Sequence, residues 1–342
     1  MMSCTRRLLW VGLIGLVGCS GTDEVDGSAA DGGDLVADSA VAMGDGSSMA
    51  DQGTNDPGML EYTPCAEADR VGSLEITLED GFTSVQGQIY NGVVPGYIQM
   101  VSASEGTCRL LRPRSLRCEP SCEVGTTCGE DGACVPQPEA VSVGSISVTG
   151  LAEPVELMAG PPVFYYTHRG SLPHPAFGLG DVISMSATGA DEVMAFELQG
   201  RGIESLIIQD EALPLEEGTA STIRWTAPSE ASEAMVHLVL SIANHGGTPG
   251  QIDCEVPDTG EFTFPMALTD ALLNLGYSGF PAVWLTRRTV DSVPTSLGCV
   301  QFVVQSNAAL DISIPGLISC SSDQDCPEGQ SCGPELTCGD AI

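Results

Sequence analysis

The chain contains no lysine: all twelve of its basic residues are arginines, set against 46 Asp and Glu for a formal net charge of −34. Without a lysine amine there is no Schiff-base chemistry, no phosphate-loop lysine and no lysine general base, so several enzyme classes fall away at once. Histidine is scarce, with four in 342 residues, and aromatic residues make up 5% of the chain. Two histidines one helical turn apart with an intervening Glu, as in helical zinc sites, do not occur. The nearest approach to a Gly-x-Ser-x-Gly nucleophile turn is Gly276-Tyr277-Ser278-Gly279, whose spacing is wrong. No twelve-residue calcium loop is present either. A surface short of cations disfavours nucleic acid and anionic lipid as partners.

What the N-terminus does contain is ordered like an export signal. Arg6 and Arg7 precede an apolar run of ten residues, Leu8 to Val17, which is too short to span a bilayer. The run ends in Leu16-Val17-Gly18-Cys19, which resembles the lipobox of bacterial lipoproteins, where the cysteine is acylated and becomes the mature N-terminus. Residues 1–18 are thus read as signal peptide and Cys19 as the lipidation site. Thr5-Arg6-Arg7-Leu8-Leu9 also partly matches a twin-arginine motif, so the export route stays open. Loss of residues 1–18 removes two arginines and no acid, giving 10 − 46 = −36.

Residues 19–58 read as a lipidated, disordered tether. From Ser20 onward they hold nine carboxylates, no arginine and no aromatic residue, too little apolar surface to fold. A Gly/Ser-rich chain of that length spans about 35 Å on average. By resemblance to enterobacterial sorting, Ser20 after the lipid cysteine favours the outer membrane.

Of fourteen cysteines, Cys4 leaves with the signal and Cys19 carries lipid, which leaves an even twelve. Cys118, Cys122, Cys128 and Cys134 form one cluster, and Cys320, Cys326, Cys332 and Cys338 form a second with similar spacing. The repeat marks two small four-cysteine modules, 117–136 and 319–339. Zinc is the rival reading, but structural zinc cysteines come closer together, and neither cluster holds a histidine. Of three possible pairings in each, first with third and second with fourth is preferred, because it interlocks two loops around Gly and Asp turns. Cys65, Cys108, Cys254 and Cys299 stand singly; local pairing would join Cys65 to Cys108 and Cys254 to Cys299.

The body reads as all-β. Residues 59–116 alternate, with Leu74, Ile76 and Leu78 on one face and Val85, Gly87 and Ile89 on another run, and suggest a small disulfide-braced β unit. Residues 142–316 carry about a dozen short apolar runs, including 145–148, 182–187, 203–208, 223–226, 236–242 and 300–304. Gly, Pro and Asp punctuate them, which predicts a β-sandwich of immunoglobulin-like type. Ile223-Arg224-Trp225-Thr226 looks like the tryptophan strand of many such domains, and Pro265 to Leu275 has the one helical pattern.

Cys108-Arg109-Leu110-Leu111 leading into the first cluster and the strand Val141 to Leu151 resembles a module of uncharacterised cysteine-rich lipoproteins of myxobacteria. The tail Asp325-Cys326-Pro327-Glu328-Gly329-Gln330-Ser331-Cys332 resembles their short repeats and, more distantly, Dickkopf-like and EGF-like cysteine repeats. His245-Gly246-Gly247-Thr248-Pro249-Gly250 and Pro257-Asp258-Thr259-Gly260 are similar to segments of the same lipoproteins. The resemblance implies a compartment and an architecture and brings no activity with it.

Candidate chemistry is thin. His168 and His174 lie in a loop, His237 in an apolar strand and His245 beside turn-forming glycines. Asp323, Asp325 and Glu328, or Asp253, Glu255 and Asp258, could offer oxygen ligands to calcium. Arg109, Arg112, Arg114 and Arg117 form the one basic cluster, suited to pairing with surplus carboxylates. Phe164, Tyr165, Tyr166 and Phe177 could rim a groove. These observations favour a membrane-anchored, non-catalytic binding or adhesion module of the cell envelope with an envelope or matrix ligand. An envelope spacer, or a hydrolase with an unrecognised site, are the alternatives.

Overall fold

A computed structural model describes residues 60–340 apart from 94–97, 115, 130–131, 191–192 and 243–248. The leader, Cys19, the tether and His245 lie outside the described residues. In chain order the strands are β1 (Arg70–Leu78), β2 (Thr83–Ile89), β3 (Ile98–Glu105), β4 (Cys108–Arg114), β5 (Thr126–Cys128), β6 (Cys134–Pro136), β7 (Ile146–Thr149), β8 (Val155–Leu157), β9 (Tyr166–Thr167) and β10 (Val182–Ala187). They continue as β11 (Phe196–Arg201), β12 (Leu213–Pro214), β13 (Thr222–Arg224), β14 (Met235–Ser241), β15 (Gln251–Pro257) and β16 (Glu261–Thr263). After helix α1 (Met266–Leu273) come β17 (Ala282–Pro294), β18 (Cys299–Ser313), β19 (Gln330–Cys332) and β20 (Cys338–Asp340). The expected all-β class holds, with a single short α-helix among the described residues.

One ten-stranded sheet organises the body, in the order β3-β4-β15-β14-β17-β18-β1-β2-β9, with β12 joining β18. The sequence sets 59–116 apart as a small unit; in the structure its four strands belong to this sheet. Strand β1 runs parallel to β18, and β4 pairs antiparallel with β15. The alternation was legible locally, but two-residue periodicity says nothing about which distant strand is the partner. The single cysteines follow the same topology. They form Cys65–Cys299 and Cys108–Cys254, not the two local pairs, because those residues are brought together by the β1–β18 and β4–β15 pairings. Loops of 234 and 146 residues are closed, which corresponds to about 5 kcal/mol each on the chain-entropy account.

Strands β17 and β18 form a spine of 13 and 15 residues. Two hydrophobic cores lie along its inner face. Near the β18 N-terminus, Val300, Phe302 and Val304 join Leu74, Ile76, Leu78, Val85 and Ile89 beneath the four-stranded sheet β11-β10-β7-β8. The two layers approach closely at Gly200, where an added Cβ would lie 2.6 Å from Val304 Cγ2. Farther along, Leu310 and Ile312 pack with Leu238, Leu240, Ile252, Val283 and Leu285. This core is closed by Trp225, Phe264 and the helix, whose buried residues are Leu268, Thr269 and Leu272.

A buried polar belt separates the cores. The side chains of Arg287 and Asp258 are each 1% exposed and joined by a 2.6 Å ion pair. Arg287 also donates to the carbonyls of Glu204, Ser205 and Thr226, and Asp258 Oδ1 accepts Trp225 Nε1–H at 2.7 Å. Removing one partner of such a pair costs about 3 to 5 kcal/mol, because the other charge stays buried without compensation. The belt explains one departure from the sequence reading. Residues 203–208 are not a strand; Arg287 takes two of their carbonyls, leaving only a bridge from Ile208 to Trp225. Both four-cysteine modules close as first with third and second with fourth. Each contains one small hairpin, β5–β6 or β19–β20.

Candidate functional site

With both cores on the inner side, the other face of the sheet carries the residues that alternate with them. The register sets these in rows. Arg109, Asp253, Val239, Trp284 and Ala309 lie directly opposite one another across β4, β15, β14, β17 and β18. The next row is Glu255, His237, Thr286 and Asn307. Trp284 keeps 37% of its surface exposed, while its strand neighbours Val283 and Leu285 are fully buried.

Two charged clusters brace this face. Asp253 accepts from His237 Nε2 at 2.8 Å and from Arg109 at 3.1 Å. Burial pushes the Asp253 carboxyl up, but the His237 and Arg109 hydrogen bonds and charges outweigh it and hold its pKa below the usual range. Glu255 accepts from Tyr62 Oη at 2.7 Å and from Arg288 at 2.5 Å, and Arg288 Nε donates to Tyr62 Oη at 2.9 Å. Burial, with Glu255 beside it, raises the Tyr62 phenol well above its ordinary value although Arg288 opposes the shift. Farther along, Thr286 Oγ1 donates to Asn307 Oδ1 at 2.8 Å, and Gln305 Nε2 donates to Glu75 and Thr77.

The His237–Asp253 pair has the form of an oriented base, but the hydroxyl opposite it, on Thr286, donates to Asn307. Among the described residues, no hydroxyl hydrogen-bonds to the His237 ring. His168 and His174 do not come together at a shared ligand; the His174 ring bonds Thr83 Oγ1. The trio Asp253, Glu255 and Asp258 is split between faces, since Asp258 is buried against Arg287. Calcium therefore has no common centre there. Asp323 and Asp325 accept from backbone N–H groups of Cys332 and of Ser321 and Ser322, which fixes the tail module. Among the described residues, the groups of three potential metal ligands are cysteines already joined in disulfides. The aromatic rim also fails to form: Tyr166 and Phe177 are buried in the first core, and Tyr165 alone of the four is exposed. Arg109 does pair with a carboxylate, as its cluster suggested.

Two open clefts, of about 210 and 310 Å³, lie elsewhere; the first holds the Arg201–Glu233 ion pair at 3.6 Å. Trp284 is the residue that sequence reading passed over. The signal was present in Val283-Trp284-Leu285-Thr286, where strict alternation puts the indole on the polar face.

No known family matches the chain, and no curated protein matches it. Among solved structures, the FN1–FN3 domains of chicken CNTN1 are similar over 67% of this chain and 72% of that one, at 9% identity and a TM-score of 0.17.

Proposed function

We propose that the protein is a lipid-anchored cell-envelope protein that works by binding, and that the outer face of β14, β17 and β18 makes the contact. The observation that carries this is the placement of Trp284, Asn307, Ala309 and Asp311, all exposed, on the side of the sheet away from both cores. An indole offers a flat apolar face with a polar N–H, and a rigid sheet that carries it among hydroxyl and carboxamide groups suits recognition. The signal-like N-terminus, Cys19 and the acidic stretch to residue 58 support a tethered location, and the twelve paired cysteines suit an oxidising compartment. The outer membrane is the location these features favour.

The test places bulk and charge on the face. In the unacylated Cys19→Ala chain, Asn307→Arg with Ala309→Arg should abolish retention on isolated envelope and matrix material, with little change in Tm. Glu156→Arg, at an exposed position of β8, should leave retention intact. Equal loss in both variants, or in neither, sinks the reading.

A further inference from the structure

We infer that the outer-face platform centred on Trp284 takes a pyranose ring of a neutral polysaccharide. The inference rests on the outer face being the contact surface and adds the ligand's chemistry. Three observations point to it. First, the indole is bordered by short side chains. Val239 and Ala309 lie directly opposite it and Ala282 and Thr286 flank it along β17, so its nearest neighbours in the register are short. A flat apolar C–H surface, such as one side of a pyranose, fits against an indole set in this way.

Second, hydrogen-bonding groups surround that apolar centre at the next positions. Asn307 lies opposite Thr286 and Asp311 opposite Ala282. Asp253 lies opposite Val239, and His237 is Thr286's other cross-strand neighbour. Ring hydroxyls need donors and acceptors around the edge of a stacking surface, which is this distribution.

Third, the charge is wrong for the most obvious rival. An aromatic residue among acids in a chain of net charge −34 invites a cation over the ring. Here, however, Asp253 is already engaged by Arg109 and His237, and Glu255 by Arg288. Asp311, exposed opposite Ala282, is the platform carboxylate without an ion pair among the described residues, so the patch carries one uncompensated charge rather than a cluster of them. A neutral ligand rich in hydroxyls can use Asp311 as an acceptor, whereas a cation would find that single exposed carboxylate and would have to displace an arginine to reach Asp253 or Glu255.

The experiment is affinity electrophoresis of the full chain through gels carrying hydroxyethylcellulose, laminarin, galactomannan or dextran, with parallel titration of tryptophan fluorescence. Retardation in at least one gel is the result expected, with apparent affinity weakened about tenfold or more by Trp284→Ala and less by Trp284→Tyr. Trp225, buried and bonded to Asp258, provides an internal reference whose emission stays unchanged. Choline and tetramethylammonium chloride are the cationic probes. No retardation in any of the four gels, retardation unchanged by Trp284→Ala, or a Trp284-dependent response to the cations alone would each overturn the ligand class. The envelope-retention result with Asn307→Arg and Ala309→Arg stands apart from these outcomes. If retention is lost there while all four gels are blank, the contact surface survives and the polysaccharide does not.

Discussion

Asp253 is held by a histidine on one side and an arginine on the other, and its depressed pKa ties that geometry to acid stability. A carboxyl whose folded pKa lies below the unfolded value of about 3.9 contributes stability above that value and loses it as pH falls through the folded one. Urea unfolding at pH 6 and again at pH 3 should therefore show the wild type losing about 1 kcal/mol more than Asp253→Asn, the size of a partly exposed charge-assisted bond. An identical loss in both proteins contradicts the assignment. The same scale shows what sequence could convey. Arg287 and Arg288 are adjacent and read alike, yet one lies in the belt between the cores and the other on the outer face. Alternation predicts that they point opposite ways, but not that Asp258 waits for the first and Glu255 for the second, because those partners lie across the fold.

At the level of elements, the four-cysteine modules were legible because their pairing is local. Ten to twelve residues separate the bonded cysteines, and in the second module Asp323 and Asp325 hold the loops through backbone N–H groups. The single cysteines were not legible, since their partners are set by β1 running beside β18 and β4 beside β15. The two kinds of disulfide should differ in consequence. Cys65→Ser with Cys299→Ser is expected to cost the whole body about 3 to 5 kcal/mol in urea unfolding, the range for a long closed loop. Cys320→Ser with Cys332→Ser should instead open residues 319–339 to proteolysis while the unfolding midpoint of the body moves little, because a module that small has no core to fall back on. Comparable midpoint losses in the two double variants would mean that the tail module is integral to the body.

For the molecule as a whole, the proposed attachment is open to a direct test. Labelled palmitate should enter the intact protein, and Cys19→Ala should abolish its incorporation; labelling that persists in the variant rules out the anchor at that residue. The spine has a further consequence, which concerns order in time. Strand β1 is synthesised more than two hundred residues ahead of its parallel neighbour β18, and Cys65 precedes Cys299 by 234 positions. During synthesis, Cys108 and the four cysteines of the first module appear before either distant partner exists. Oxidation in order of appearance would join Cys65 to Cys108, and pairings this remote in sequence form slowly. The native set is therefore reached only if Cys65 and Cys108 stay reduced until β15 and β18 are present, or if an early bond between them is broken and remade. Cys108 can find its native partner once Cys254 is made, but Cys65 has to wait for Cys299.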